Sequence, residues 1–252
     1  MFAIDVQNLV KSFGELKAVD SLSFKVKDGE LFGLLGPNGA GKTTTISMLC
    51  TILKPTSGTA RISSFEITKE ASYVRESIGI VFQGPSLDDK LTGFENLDFH
   101  SRMYGLKKKE RTERIGKMLK LVDLEDKANI LVENYSGGMK RRLEIARSLI
   151  HKPKVLFLDE PTIGLDAQTR RHIWDYIKKL NKEEKVTIVL TTHYMEEADF
   201  LCGRIAIIDH GKIVAIDNPR NLKKLIEAEI ISLEIHNKNI NFQKFIEFLK
   251  KI

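Results

Sequence analysis

The most informative part of the sequence is a glycine-rich run that lies between a hydrophobic segment and a helical pattern. It consists of Gly36, Pro37, Asn38, Gly39, Ala40, Gly41, Lys42 and Thr43, with Thr44 directly after it. Glycines let backbone N–H groups approach phosphate oxygens where a Cβ atom would interfere. A helix after such a run presents unpaired N–H groups and the positive end of its dipole to the same phosphates. The spacing fits G-x-x-x-x-G-K-[ST], which predicts that Lys42 contacts the β- and γ-phosphates of a nucleoside triphosphate and that Thr43 ligates Mg²⁺.

The segments around this run alternate between strand and helix patterns. Leu31–Leu35 is a short apolar run, typical of a strand buried on both faces, and Lys42–Leu53 has the pattern of a helix. The first 35 residues have strand patterns, and residues 92–152 have the periodicity of a helical insertion. Later strands are predicted at 78–82, 155–158, 186–191 and 204–209, and helices near 167–181 and 195–200. We therefore expect an α/β fold with a mostly parallel sheet.

The composition is that of an ordinary globular chain of 252 residues, 42% hydrophobic and 29% charged. Two cysteines are too few for a disulfide framework, and this composition excludes a disordered chain. No apolar run approaches the roughly 18 residues that a membrane-spanning helix needs, and no signal peptide is recognisable at the N-terminus. The net charge of +6 permits anionic partners. The basic run at 107–111 is better interpreted as a solvated helix face than as a nucleic-acid patch, so we expect no nucleic-acid partner.

An apolar strand pattern at 155–158 ends in two carboxylates, Asp159 and Glu160. In phosphate-loop enzymes the first carboxylate at such a strand end holds Mg²⁺. The second is then placed to accept a proton from an attacking water molecule. Two exposed acids in a turn would look the same in isolation, but the glycine-rich run in the same chain favours the catalytic interpretation.

A second anion-binding pattern precedes another helical segment. It consists of Ser136, Gly137 and Gly138, which offer a hydroxyl group, bare backbone N–H groups and a helix dipole. Taken alone, Ser136 is better explained as a simple helix N-cap. Two phosphate-directed helix starts in one chain make chemical sense if one nucleotide is gripped from both sides.

Taken together, these segments resemble the ATP-binding subunit of an ABC transporter over about residues 1–225. The phosphate loop matches Walker A, residues 155–159 match Walker B, and Ser136 begins the signature motif. The other motifs stand in the family's order, and they are Gln83 (Q-loop), Gly164, Leu165 and Asp166 (D-loop) and His193 (H-loop). The chain departs from the usual signature at Tyr135 and Met139, where Leu and Gln are commoner. The sequence around Ser136 is similar to that of ATPases of the drug and antibiotic efflux type.

The resemblance implies a P-loop NTPase (RecA-like) core with an N-terminal antiparallel β subdomain and a helical subdomain at about 90–152 that carries the signature. It implies that Glu160 polarises the attacking water and that His193 holds the γ-phosphate. Gln83 would contact Mg²⁺ and sense whether the site is filled, and the metal ligands would be Thr43, Gln83 and Asp159. Phe13 would stack on adenine and could accept other purines, although packing in the core is an alternative for this ring.

The resemblance also implies a site that is incomplete in one chain. ATP would be held between two ATPase domains, most simply an ATP-induced homodimer. Ser136 and Gly138 of one domain would reach the γ-phosphate bound by the other, and Asp166 would lie at the contact between the two domains. A transmembrane permease would dock near residues 84–105 and keep the chain at the cytoplasmic face of the cell membrane. The expected function is Mg²⁺-dependent ATP hydrolysis that powers solute transport, with export favoured.

Other phosphate-loop proteins fit less well. A GTPase needs an Asn-Lys-x-Asp motif, which residues 181–184 do not supply, and a small-molecule kinase has no use for the Ser-Gly-Gly helix start. A soluble ABC-type ATPase of translation or DNA repair is the serious alternative. Such proteins usually carry two cassettes or a long coiled-coil insertion, and sedimentation with membranes would separate the two possibilities.

Residues 226–252 lie beyond the region that resembles the family and are treated as a separate extension. Residues 230–235 alternate like a strand, and an apolar stripe at helical spacing begins at Phe242. We expect a strand-helix element that either dimerises or belongs to a truncated regulatory domain.

Overall fold

The computed structural model describes residues 1–84 and 86–226. Within these ranges the chain forms two β-sheets, one antiparallel and one mostly parallel, with helices packed around them. The extension predicted at 226–252 lies outside the described residues, apart from Ile226 at the end of the last helix.

The antiparallel sheet is built mainly from the N-terminal residues. Its strands are β1 (Phe2–Phe13), β2 (Leu16–Lys27), β4 (Ser57–Ile62) and β5 (Phe65–Glu66). The strand order is β2-β1-β4-β5, and each neighbouring pair runs antiparallel. The predicted N-terminal antiparallel β subdomain is therefore confirmed.

The second sheet carries the parallel core. Its strands are β3 (Leu31–Leu35), β6 (Ile78–Val81), β7 (Val155–Asp159), β8 (Thr187–Thr192), β9 (Arg204–Asp209) and β10 (Lys212–Asp217). The strand order is β10-β9-β3-β8-β7-β6, and β10 alone is antiparallel to its neighbour among these strands. Parallel strands present their carboxyl ends at one edge, which is where ligands bind in sheets of this kind.

Eight α-helices and two short 3-10 helices (Glu125–Lys127 and Val132–Asn134) complete the described part of the chain. The α-helices are α1 (Lys42–Leu49), α2 (Ala71–Ser77), α3 (Gly93–Met103), α4 (Lys108–Leu121), α5 (Gly137–Leu149), α6 (Ala167–Glu184), α7 (Met195–Leu201) and α8 (Pro219–Ile226). Helices α3, α4 and α5 fill the stretch predicted to be helical. Thr92 and Glu95 form a capping box that fixes where α3 begins, because each side chain bonds the other's backbone N–H group.

The central strands are buried on both faces, as the apolar run at Leu31–Leu35 predicted. Leu31 and Leu35 pack on the side of the sheet that α3–α7 cover. Phe32 and Leu34 pack on the other side, against α1 and the antiparallel sheet. Strands of this kind have continuous apolar sequences because neither face meets water.

The structure corrects the predicted elements at two places. Helix α1 ends at Leu49 rather than Leu53, because Thr51 adopts a left-handed backbone (φ 63°) and the N–H groups of residues 52 and 53 both donate to the Ser47 carbonyl. Strand β10 was not predicted. A tight turn at His210 and Gly211, with φ 44° and 75°, joins it to β9. This two-residue turn was the sequence signal that could have predicted a hairpin of β9 and β10.

Candidate nucleotide-binding site

The loop between β3 and α1 is shaped by close backbone contacts at two glycines. A Cβ atom on Gly36 would lie 2.1 Å from the carbonyl oxygen of Ile208. Gly41 has φ 100°, and a Cβ atom there would lie 2.4 Å from the carbonyl oxygen of Ala18. Gly41 is also the N-cap of α1 and has no side chain to bond the first N–H groups of the helix. Those groups are therefore free to bind an anion at the positive end of α1.

Lys42 is buried, with 4% of its surface exposed, and its ammonium group lies among oxygen atoms. Nζ donates to the carbonyl oxygens of Gly36 (2.8 Å) and Pro37 (2.9 Å). It also lies 3.5 Å from Oε1 of Glu160. These contacts compensate a buried positive charge at the mouth of the loop, where phosphate oxygens are predicted to bind.

Glu160 follows β7 with a left-handed backbone (φ 46°), which non-glycine residues rarely adopt. Its backbone N–H donates to Oγ1 of Thr191 (2.9 Å). Its carboxyl group is buried between Lys42 and His193, and Oε2 lies 3.3 Å from Nδ1 of His193. Strained residues that their surroundings hold in place cluster at functional sites.

Asp159 is the last residue of β7 and lies beside Thr43. Its Oδ1 accepts hydrogen bonds from Oγ1 of Thr43 (3.2 Å) and Oγ1 of Thr191 (2.5 Å). Its Oδ2 is buried and has no hydrogen-bond partner among the described residues, which is costly for a carboxylate oxygen. An orphaned carboxylate oxygen next to a hydroxyl group fits the oxygen ligands that Mg²⁺ prefers. In residues 1–84 and 86–226, no group of three or more His, Cys, Asp or Glu suggests another metal site.

A cavity of about 300 Å³ lies at the mouth of the loop between β3 and α1. The predicted residues on its walls are Asn38, Gly39, Gly41, Lys42, Thr43, Thr44, Gln83 and Glu160. Ala18 of β2 and Ile163 line it as well. The loops after β3, β6 and β7 thus meet at one edge of the parallel sheet, and His193, just after β8, joins them through Glu160.

The signature residues Ser136, Gly137 and Gly138 lie at the start of α5, away from this cavity. Ser136 is the N-cap of α5, and its Oγ accepts a hydrogen bond from the N–H of Met139 (3.3 Å). A Cβ atom on Gly138 would lie 2.5 Å from Cγ2 of Thr169, so glycine allows α5 to pack closely on α6. Ser136 and Gly138 border a second cavity of about 500 Å³. Within the described part of the chain, the two cavities share no lining residue.

Asp166 and Phe13 border neither cavity in the described structure. Asp166 is the N-cap of α6 and accepts hydrogen bonds from Oγ1 (2.6 Å) and N–H (2.9 Å) of Thr169. These hydrogen bonds lower the pKa of Asp166. Phe13 is the last residue of β1, and its 48% exposure is inconsistent with the alternative of core packing. Its contact with adenine stays a prediction.

Sequence reasoning missed two polar residues that support the site. Thr191 on β8 bonds both Asp159 and Glu160 through one hydroxyl group. A polar residue at the end of an apolar strand, two positions before His193, was the only sequence signal for it. Arg141 on α5 bonds the carbonyl groups that follow β7. The sequence offers no signal for these contacts, because the partners lie far away along the chain.

The chain belongs to the ABC transporter family, which it matches over residues 19–163. Two relatives are resistance proteins. The linearmycin resistance ATP-binding protein LnrL of Bacillus subtilis (strain 168) is 42% identical over 250 residues, which cover 99% of this chain and 80% of LnrL. The daunorubicin/doxorubicin resistance ATP-binding protein DrrA of Streptomyces peucetius is 43% identical over 235 residues, which cover 93% of this chain and 71% of DrrA.

Solved structures of ATP-binding cassettes have the same fold. The cbiO1 protein of Clostridium perfringens, part of the ABC transporter complex cbiONQ, superimposes with a TM-score of 0.83 at 29% identity and covers 100% of this chain and 99% of its own. The dimeric cassette MJ0796, in a post-hydrolysis state bound to ADP and Pi, has a TM-score of 0.76 at 31% identity and covers 86% and 99%. The chain is therefore an ATP-hydrolysing subunit of the ABC transporter family rather than the soluble alternative.

A membrane-spanning helix is not found between residues 1 and 226, because none of the helices described there is both long enough and apolar enough.

Proposed function

We propose that two copies of this chain bind two ATP molecules between them and use ATP hydrolysis to drive export through a membrane permease. The observation that carries the proposal is the separation of Lys42 from Ser136 into two cavities of one chain. Each cavity holds only one of the two phosphate-directed helix starts. In a two-fold symmetric pair, Ser136 of each copy faces Lys42 of the other, so two complete sites form together. The solved dimer of the related cassette MJ0796 supports this arrangement.

In the composite site, the two halves act on the same phosphates. Lys42 and the first N–H groups of α1 bind the β- and γ-phosphates, and the start of α5 from the other copy binds the γ-phosphate. Preorganised donors of this kind stabilise the charge that develops on the phosphoryl oxygens in the transition state. Thr43, Asp159 and Gln83 hold Mg²⁺, which supplies further positive charge to those oxygens.

Glu160 is the proposed proton acceptor. A water oxygen bonds to the γ-phosphorus while the bond from that phosphorus to the bridging oxygen breaks, and the proton of the water goes to the Glu160 carboxylate. Nδ1 of His193 lies 3.3 Å from that carboxylate, and His193 is the proposed contact of the γ-phosphate. Phe13 stacks on the base from the end of β1, and Asp166 lies where the two copies meet.

A groove on α3 is the proposed docking surface for the permease. The groove is a cavity of about 400 Å³ within the predicted region 84–105. Phe99 and Met103 line it and are 63% and 69% exposed, an unusual exposure for large apolar side chains. Burial lowers the pKa of His100 to about 4, so its ring is uncharged at neutral pH. Asp88 and Arg147 are the charged residues that line the groove. An apolar cytoplasmic segment of a permease fits this surface, and such docking places the chain at the inner face of the membrane.

The direction of transport rests on the relatives. LnrL and DrrA are both described as resistance proteins, and a transporter that moves a toxic compound out of the cell would provide such resistance. Neither name identifies the compound that this chain's permease carries.

The composite site is tested by mixing two inactive variants, Lys42→Ala and Ser136→Arg. Each variant alone lacks one half of both sites and should not hydrolyse ATP. A 1:1 mixture should recover about a quarter of the wild-type ATPase rate if the sites turn over independently, because half of the pairs are mixed and each of those has one intact site of two.

Size measurement by light scattering supplies the control. Glu160→Gln should bind ATP without turnover and run as a dimer, whereas Glu160→Gln combined with Ser136→Arg should stay monomeric. Full ATPase activity of the Ser136→Arg chain as a monomer would contradict the proposal.

A further inference from the structure

The guanidinium group of Arg141 lies where helix α5 meets the ends of two neighbouring strands. Its side chain is 9% exposed. Nε donates to the carbonyl oxygen of Pro161 (2.8 Å), and Nη2 donates to those of Asp159 (3.1 Å) and Glu160 (3.2 Å). Nη1 donates to the carbonyl oxygen of Phe82 (2.8 Å) and to a carboxylate on α5. All five N–H donors of the guanidinium group therefore have acceptors.

These bonds bear directly on the backbone of Glu160. Its left-handed conformation (φ 46°) persists only if the surrounding structure holds it. Thr191 anchors the N–H group of Glu160, and Arg141 anchors its carbonyl oxygen. The flanking carbonyl oxygens of Asp159 and Pro161 bond the same guanidinium group. The direction of the Glu160 side chain is thus fixed by two residues outside its own strand.

The carboxylate partner is Glu144, which joins this arrangement to the Q-loop. Its Oε2 accepts from Arg141 (2.9 Å), and its Oε1 accepts from both N–H and Oγ of Ser86 (3.1 Å each). Arg147, six residues after Arg141 on α5, donates to the carbonyl oxygen of Ser86. Arg141 bonds the carbonyl oxygen of Phe82, so α5 holds the chain on both sides of Gln83.

We propose that Arg141 is a positioning residue for ATP hydrolysis, with Glu144 as its counter-ion. Arg141 acts through the Glu160 peptide and does not touch the nucleotide. The inference rests on the proposed function, in which Glu160 accepts the proton. Because Ser136 begins the same helix, the element that contacts the neighbour's ATP also sets the proton acceptor of its own chain.

A guanidinium group is required for this role because its donors lie in a fixed planar fork. A lysine ammonium is a point charge and cannot bond three successive carbonyl oxygens in the same way. Glu144 and Arg141 are both buried, and an apolar pair would fill the same space without desolvating two charges. A charged pair at this place is therefore explained by the carbonyl groups that it orients.

The test is Arg141→Lys in the full chain, with Arg142→Lys as the matched control. Arg142 is the next residue of α5 and donates to the carbonyl oxygen of Val122 (2.7 Å), which belongs to the end of α4 rather than to the site. We expect Arg141→Lys to lower kcat by about 10- to 100-fold with KM for ATP unchanged within about twofold, because a small misplacement of a catalytic group has an effect of this size. Arg142→Lys should keep the wild-type kcat and KM.

The Glu160→Gln background separates positioning from general loosening. If Arg141 acts through Glu160, then Arg141→Lys should lower kcat in the wild-type chain but leave the residual rate of Glu160→Gln unchanged. A wild-type kcat for Arg141→Lys, or an equal loss in Arg142→Lys, would overturn the positioning role while leaving the proposed function intact. Normal hydrolysis by Glu160→Gln would instead overturn the proposed function itself.

A second variant decides the matter if Arg141→Lys does not bind ATP. Glu144→Gln keeps an oxygen acceptor for Arg141 but removes the negative charge. A lower kcat at unchanged KM supports the inference, and a wild-type kcat refutes it.

Discussion

Tyr135, which replaces the commoner leucine before the signature serine, is explained by its contact with Gly93. The Tyr135 ring is buried, and its hydroxyl group donates to the carbonyl oxygen of Lys127 (2.7 Å). A Cβ atom on Gly93 would lie 2.3 Å from Oη and 3.3 Å from Cζ of Tyr135. The severe clash therefore comes from the hydroxyl oxygen, while the contact with Cζ is only tight. We predict that Gly93→Ala destabilises the wild-type chain and is tolerated once Tyr135→Phe has removed that oxygen.

The magnitudes follow from these contacts. Gly93→Ala should cost about 2 kcal/mol, the usual effect of forcing an extra carbon into a packed site. Tyr135→Phe should cost about 1 kcal/mol, because the Lys127 carbonyl loses its partner. In the Tyr135→Phe background, the ring has to shift by only a few tenths of an ångström to relieve the remaining 3.3 Å contact with Cζ, and alanine is a better helix former than glycine, so Gly93→Ala should be close to neutral. The coupling energy between the two changes is then about 2 kcal/mol.

Urea unfolding of the four chains measures this cycle. Trp174, the single tryptophan of the sequence, is buried and its fluorescence reports the transition. Free energies come from linear extrapolation, and the slopes should agree among the four chains. An equal cost of Gly93→Ala in both backgrounds would refute the contact, and so would a neutral effect in the wild-type chain.

Two further predictions concern buried polar groups. Oε1 of Glu197, which is 1% exposed, accepts from Oγ1 of Thr162 and Nε1 of Trp174 (2.7 Å each). Glu197→Leu should therefore lower the free energy of unfolding by about 2–4 kcal/mol because it leaves two buried donors unpaired, and Glu197→Gln should cost less; equal effects would contradict this. His100 should titrate by NMR with a pKa of about 4, since burial and the charges of Arg147 and His151 lower it from 6.5. The unfolded chain then takes up the proton first, so the free energy of unfolding should fall as pH drops from about 6.5 towards 4. The fall should be smaller in His100→Phe. An NMR titration midpoint of His100 near 6.5 would contradict the burial of the ring.

The parts of the site that could be predicted from the sequence are those that local chemistry specifies. Gly36 and Gly41 are required by backbone contacts that no other residue permits, and Asp159 directly follows an apolar strand. Each of these signals lies within a few residues of the group it identifies. Because the strands run parallel, their ends had to meet at one edge, so the grouping of Lys42, Asp159 and Glu160 followed from the fold class.

The parts that could not be predicted depend on contacts between distant segments. Tyr135 donates a hydrogen bond to the carbonyl oxygen of Lys127 and leaves no room for a Cβ atom at Gly93. Nothing in the sequence around Tyr135 specifies either partner. Thr51 ends α1 early through a left-handed conformation, which threonine adopts only when its surroundings compensate the strain. Arg141 looked like one of several basic residues on a helix, and only the folded chain brings it to four carbonyl groups.

Helix α5 links three events that the sequence motifs present as separate. In the proposed function, Ser136 at its start is directed at the neighbour's ATP, Arg141 holds the Glu160 peptide of its own chain, and Arg147 lines the proposed docking groove and bonds Ser86. The helix is about 20 Å long. In the proposed dimer, a shift of α5 that engages the neighbour's ATP would therefore displace the Glu160 peptide and the groove together. Since coupling between binding sites is reciprocal, a permease that binds ATP-engaged α5 more tightly must raise the affinity for ATP by the same factor.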